Sequence, residues 1–344
     1  MKYPQFYLGI DISNRDFAAS IFTAPGAPIL SLTQISNDIS GFERFEFWLN
    51  SNKVKSDNSI ICMEATGVYG EALSYWLTAK GYKVAVEPPL KVKRSFSDKS
   101  HKNDKADSKK ISEYAFRYFD ELNIWRPKPA IVEKINVLLM TREQLVEQKT
   151  AMQNTFTALQ KKTVQASLAN GIYKKNIEQF QVQIKKIEKE IKKTIEADPD
   201  LNRTFQHLIL IPGVALLLAA NFLVVTNGFE NELAVNYRKA AAYIGICPYQ
   251  HSSGTSVYKK PRIPNYGPPR MRKLLHLASR SVVTHSKRFS GYYKQKVAQG
   301  KARKLVLNNV SNKILKIMCA IVRTDSPYVD NYVSINPNSM KFNT

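Results

Sequence analysis

The apolar positions of the first third come as short runs separated by turn signals, which predicts strands and helices in close succession. Tyr7-Leu-Gly-Ile-Asp-Ile-Ser13 is a near-continuous run of strand formers, the pattern of a central strand buried on both faces. Residues 16–24 alternate loosely and stop at Pro25-Gly26, and residues 28–35 supply a third strand. The short turns between these runs predict an antiparallel meander. A helix opens at Ser40, with Phe42, Phe45, Phe47 and Leu49 as an imperfect inner face. Residues 59–64 form another buried strand and 69–79 a helix closed by Gly81; residues 83–86 are a short strand stopped by Pro88-Pro89. A mobile basic stretch containing Lys91, Lys93, Arg94, Lys99, His101 and Lys102 then leads to a helix running from Asn103 to about Phe119.

Trp125-Arg-Pro-Lys-Pro129 reads as a linker, after which the apolar period lengthens. Ile131, Ile135, Leu138, Leu145, Met152, Phe156 and Leu159 mark one long helix, its seam interrupted by Arg142 and Lys149. After a break at Asn170-Gly171, Ile177, Phe180, Ile184, Ile187 and Ile191 mark a second, ended by Asp198-Pro199. Such a pair forms an antiparallel hairpin or, across subunits, a coiled coil. Residues 208–214, containing Pro212-Gly213, look like a helix-hairpin-helix with Ala215 in place of the usual second glycine. Helices follow at 237–246, 274–283 and 304–321, a hydroxyl-rich loop lies at 245–256, and 330–344 is a polar tail. The expected boundaries are 1–128, 129–200, 201–330 and 331–344. In the first segment, three strands, helix, strand, helix, strand, helix is the element order of the RNase H-like nuclease fold, an α/β class.

Charge narrows the function. The 344 residues carry a formal net charge of +23, with a pI near 9.8, far beyond what solubility needs. A polyanion partner follows, and nucleic acid leads. The apolar run 208–225 is broken by Pro212, Gly213 and Asn221, too short to span a bilayer, and the N-terminus has no signal-peptide pattern. The expectation is a cytosolic protein with no membrane partner. Cys62, Cys247 and Cys319 lie far apart in apolar surroundings and read as buried thiols. No Asp or Glu occurs between Glu232 and Asp325. Within that span Lys259, Lys260, Arg262, Arg270, Arg272 and Lys273 are the candidate phosphate contacts.

Candidate chemistry centres on carboxylates. Asp11 inside an apolar strand is costly unless compensated, by a bound metal ion or by backbone N–H groups at a strand end. Glu64 closes a second such strand, and parallel pairing would bring the two together. Asp104 and Asp107, spaced i,i+3, share one face at a helix start, where ordinary capping is the competing explanation. The four together suit a hard divalent cation such as Mg²⁺. Ser253 beside Gly254 is either a nucleophile or a turn residue, and no histidine, His251 included, has a spacing that marks it as the activating base.

Gly9-Ile-Asp-Ile, Cys62-Met-Glu-Ala-Thr-Gly67, Asn103-Asp-Lys-Ala-Asp107, Ile211-Pro-Gly213 and the Pro248…Ser-Gly-Thr-Ser256 stretch occur in the order seen in transposases of the insertion-sequence-110 type, and the chain resembles that family over nearly its whole length. The resemblance implies an RNase H-like, RuvC-like N-terminal domain, a coiled-coil spacer and a mainly α C-terminal transposase domain. It implies that Asp11, Glu64, Asp104 and Asp107 are the metal-binding acidic set, with Mg²⁺ or Mn²⁺ as cofactor. Ser253, rather than its neighbours Ser252 and Ser256, falls on the catalytic serine. Ala215 departs from the pattern. The implied activity is cutting and rejoining DNA through a phosphoserine. The implied partners are donor and target DNA, a guide RNA encoded beside the gene, and further copies of the chain as a dimer or tetramer, in the bacterial cytoplasm on the nucleoid. The alternatives are a metal-only junction nuclease and a basic architectural protein with a degenerate nuclease domain.

Overall fold

Tyr7 through Ile12 are apolar but for Asp11 because their strand lies in the middle of a sheet covered on both sides. The computed structural model describes residues 3–65, 67–96, 104–253, 257–262 and 267–330, with the backbone alone for 104–106, 249–253 and 257–262. It comprises two units, Met1–Pro127 and Lys128–Thr344.

The first unit runs β1 (Phe6–Ile12), β2 (Asp16–Phe22), β3 (Leu30–Ser36), α1 (Ile39–Ser51), β4 (Ser59–Glu64), α2 (Glu71–Ala79), β5 (Val84–Glu87), α3 (Pro89–Arg94) and α4 (Asp104–Arg117). The strands form one five-stranded sheet in the order β3-β2-β1-β4-β5. β1, β2 and β3 are antiparallel neighbours, whereas β4 runs parallel to β1, and β5 to β4. Leu8, Ile10 and Ile12 face Phe42, Phe45 and Leu49 of α1 and Leu73 and Leu77 of α2. Tyr7 faces the opposite way, into a cluster with Ile111, Tyr114 and Ala115 of α4. This helix–sheet–helix arrangement is consistent with the RNase H-like expectation.

Two local expectations need correction. Phe47 is 75% exposed, because Phe42, Phe45 and Leu49 already define the inner stripe of α1 and Phe47 lies off it. The basic stretch after β5 begins as α3, which Pro89 starts at its first position.

The second unit runs α5 (Ala130–Leu159), α6 (Ser167–Glu196), α7 (Pro199–Ile209), α8 (Leu216–Val225), α9 (Glu232–Val235), α10 (Tyr237–Ile244), β6 (Tyr249–Ser253), β7 (Val257–Arg262), α11 (Pro269–His285), α12 (Lys287–Ala298) and α13 (Arg303–Thr324). α5 and α6 form an antiparallel hairpin. Its seam cations are both met across it, Arg142 Nε by Glu188 at 2.7 Å and Lys149 Nζ by the Gln181 amide oxygen, and the exposed Lys134 Nζ pairs with Glu190 at 3.0 Å. Asn170-Gly171 does not break the helix; both residues sit in the first turns of α6, where a side chain at Gly171 would meet open space. Buried apolar residues of the pair gather at its base, at Val132, Ile135 and Leu139 on α5 and Ile184, Ile191 and Ile195 on α6.

Between α7 and α8, Gly213 has φ +80° and backs onto α11, where a Cβ would come 2.5 Å from Val282 Cγ1. α13 buries Val306, Val310, Ile314, Leu315, Met318 and Cys319. It is the one helix among the described residues long and apolar enough to cross a bilayer, and its apolar face is core. Within the stretch expected to be a hydroxyl-rich loop, Tyr249–Ser253 instead form a strand paired antiparallel with β7, Ser253 opposite Val257. Its hydroxyls suggested a loop, but short runs on either side of a glycine are also a strand-pairing signal. The expected polar tail at 331–344 lies outside the described residues.

Candidate active site

The parallel register of β1 and β4, Ile10 opposite Met63, continues to set Asp11 beside Glu64 at the ends of neighbouring strands. Glu64 in turn lies opposite Glu87 of β5. Side chains in register on adjacent strands share a face, so Asp11, Glu64 and Glu87 form a row across the sheet, on the side covered by α4.

What brings α4 onto this row is Gly9. A Cβ there would overlap the Ser112 amide nitrogen and the Ser108 carbonyl oxygen and stand 2.7 Å from the Ile111 carbonyl carbon. The helix backbone therefore rests directly on β1. A chain of hydroxyls, fully buried at Ser20 and Ser108, runs from Ser31 Oγ to Ser20 Oγ at 2.9 Å and from Ser20 Oγ to Ser108 Oγ at 2.9 Å, tying α4 to β2 and β3. Asp107, the residue before Ser108, consequently reaches the row; Lys110 Nζ stands 3.7 Å from one of its oxygens. Asp104 is the first residue of α4, one turn earlier, and its side chain lies outside the described residues.

Burial pushes the Glu64 carboxyl above its ordinary range, and the charges of Asp11 and Asp107 push it further. Three of the expected carboxylates are therefore electrostatic neighbours. Among the described residues no three acidic, histidine or cysteine side chains already close around one point as metal ligands. The donor set is all oxygen and mutually repulsive, so it fits a hard divalent cation, whose charge would relieve the penalty on Glu64.

The sign of the Glu64 shift gives a test. A raised carboxyl pKa contributes stability below the unfolded value, lost as pH rises through the folded one. Glu64→Gln is therefore expected to melt above the parent at neutral pH without divalent ions, the gap closing as pH falls through the carboxylate range. Added Mg²⁺ should raise the melting temperature of the parent and leave Glu64→Gln unmoved. Scanning fluorimetry reads both, and a variant that melts lower at every pH would contradict this assignment.

The sequence reading missed Glu87 and its partners. Glu87 is 0% exposed, forms an ion pair with Lys91 Nζ at 3.1 Å and accepts from the Asn123 amide at 3.0 Å. Burial pulls the Lys91 ammonium down, but its bonds to Glu87 and Tyr114, and their charges, outweigh this, and its pKa is raised. Beside them, burial and the charges of Glu87 and Glu64 push the Cys62 thiol up, leaving it protonated and inert. A signal was present: Val-Ala-Val-Glu ends in a carboxylate as residues 59–64 do, and Lys91 follows at i+4.

The second unit places Ser253 at the end of β6. Lys259, Lys260 and Arg262 lie on β7, with Lys259 opposite His251 and Arg262 opposite Tyr249; their side chains lie outside the described residues. Arg270, Arg272 and Lys273 fall in the first turns of α11. Arg270 is committed to an ion pair with Glu143 of α5, whereas Lys273 is exposed.

Two family models match the chain. Residues 8–164 match one described as Transposase, of the DEDD type, and residues 206–294 match Transposase IS116/IS110/IS902 family. The pilin gene-inverting protein of Moraxella lacunata is 26% identical over 336 residues, covering 94% of this chain and 97% of that protein. The pilin gene-inverting protein of Moraxella bovis is 26% identical over 337 residues, with the same coverage of both.

Proposed function

This chain belongs to the IS116/IS110/IS902 family of transposases, and on that premise we propose that it cuts and rejoins DNA using a serine in one unit and a carboxylate cluster in the other. The observation that carries this reading is the row of Asp11 and Glu64 with Asp107 brought to it by α4. The relatives' name adds inversion of a DNA segment to the reactions such an enzyme performs, and inversion and excision need the same two operations.

In this reading Ser253 Oγ attacks a backbone phosphorus. The Oγ–P bond forms as a P–O bond to one strand end breaks; the serine proton leaves, and the departing sugar oxygen is protonated. The phosphoserine retains the energy of the broken bond, so a hydroxyl from a second strand can attack it, restoring the serine. Asp11, Glu64, Asp104 and Asp107 would hold Mg²⁺ or Mn²⁺, which when bound neutralises charge on a phosphate undergoing cleavage. Asp11 and Glu64 are fixed by the sheet, and Asp107 is fixed by Gly9 and the serine chain. One serine handles one strand at a time, so exchange between duplexes calls for more than one copy of the chain, a dimer or tetramer. Family resemblance supplies the guide RNA, with base pairing choosing the site and the protein reading shape and backbone.

The test uses the gene with its native flanking DNA on a plasmid in a bacterial host, with recombinant junctions read by PCR. The parent is expected to make junctions, while Ser253→Ala and Asp11→Asn should each reduce them beyond detection. Junctions persisting in Ser253→Ala would remove the serine from the chemistry and leave a metal-only nuclease.

A further inference from the structure

Residues 233–324 contain nineteen Lys and Arg and no Asp or Glu. Part of this charge converges where α10, α12 and α13 meet. Lys313 and Lys316 lie one turn apart on α13, Arg288 and Lys296 on α12, and Arg238 at the start of α10. Elsewhere in this unit cations are paired with carboxylates, as in Lys134–Glu190, Arg142–Glu188 and Arg203–Asp325. Here aromatic rings take that place. Lys313 Nζ sits 4.4 Å from the Tyr292 ring centroid, Lys316 Nζ 5.4 Å from that of Tyr237, and the Arg238 guanidinium 5.9 Å from the same ring.

A carboxylate would order these side chains and cancel their charge. A ring orders them and leaves the charge intact. The arrangement has a cost: partial burial, with Arg288, Lys316 and Lys296 close by, pushes the Lys313 ammonium below its ordinary range. A polyanion laid across the face would offset that repulsion. Because cations cover Tyr237 and Tyr292, these rings are not open platforms for unstacked bases, the usual means of gripping a single strand. What the face offers is contact with a regular backbone. Arg288 also shares a cleft with Asp330 and meets the Tyr328 hydroxyl, so the α13 lysines carry the argument.

We propose that the face formed by α12, α13 and the start of α10 docks the sugar–phosphate backbone of duplex DNA without reading its sequence. The choice of DNA rests on the recombinase reading above, whereas the cationic face does not.

The experiment measures binding of the full chain to a short duplex of arbitrary sequence by fluorescence anisotropy across a salt series. Lys313→Gln/Lys316→Gln is compared with Lys185→Gln/Lys186→Gln, exposed residues of α6 that remove the same charge. The α13 pair should lower the slope of log affinity against log salt by about two and weaken binding roughly tenfold, with the control slope unchanged. Lys313→Arg/Lys316→Arg should bind as the parent does, and melting temperatures should show that all three variants fold. Equal losses in the two glutamine pairs would overturn the proposal, reducing it to net charge, and so would no loss in the α13 pair. A loss confined to a duplex or single-stranded RNA probe would overturn the assignment to DNA. Recombination can fail in the plasmid assay while this binding stands, so the two readings fall separately.

Discussion

Gly9→Ala is expected to destroy recombination and to lower the melting temperature of the first unit by on the order of 10 °C. One methyl group is responsible. The new Cβ would overlap the Ser112 amide nitrogen and the Ser108 carbonyl oxygen, both part of the α4 backbone. A flexible side-chain tip would swing away, but a helix has to move as a body. Overpacking a filled core costs about 1–3 kcal/mol, and a clash with backbone on two sides belongs at the upper end. The displacement also lifts Asp107 from Glu64 and strains the Ser20–Ser108 bond, so activity is lost even where the variant folds. Calorimetry and the junction assay measure the two effects, and a variant matching the parent in both would show that α4 does not depend on this close approach.

Gly9 marks where sequence reasoning runs out. The apolar run predicted a central strand, with Asp11 inside it and Glu64 closing a second such run, so the sheet and most of the carboxylate row were legible locally. A glycine within a strand carries no such message. Its meaning depends on a helix a hundred residues later. Glu87 was lost for the same reason. Its burial depends on Lys91 in a helix hidden behind two prolines and on Asn123, thirty-six residues away. The pairing of β6 with β7 was obscured because hydroxyl residues serve loops and strands alike, and Ser253 stands as a candidate through family resemblance rather than local pattern.

The second large effect belongs to that buried pair. Lys91→Met leaves the Glu87 carboxylate without its cation in a fully buried place, and removing one partner of such a pair costs about 3–5 kcal/mol. Glu87→Gln is expected to cost less, because Lys91 is 39% exposed and its ammonium can turn to water. The double variant Glu87→Gln/Lys91→Met should recover most of the loss, since the penalty comes from the stranded charge. Denaturant unfolding of all four proteins gives the coupling directly. Near-additive losses would mean that the pair is not a unit. The pH dependence has a definite sign. The Lys91 pKa is raised, so the pair's contribution is complete below the ordinary lysine value of 10.5 and is lost as pH climbs through the raised one. The gap between the parent and the double variant should therefore hold through neutral pH and narrow in alkali.

The division of the chain at Pro127 has a thermodynamic consequence. Leu8, Phe45 and Tyr114 belong to cores built from the first unit alone, and Leu208, Phe222 and Ile314 to a core built from the second. A chain with separate cores need not melt in one cooperative step. Each unit is a candidate cooperative block, and a single midpoint for the whole protein would average two quantities. Glycine 9 and the Glu87–Lys91 pair then act on one transition, while the lysines of α13 act on the other. The heat resistance of the whole chain is set by whichever block gives way first, and the other block can stay folded after it.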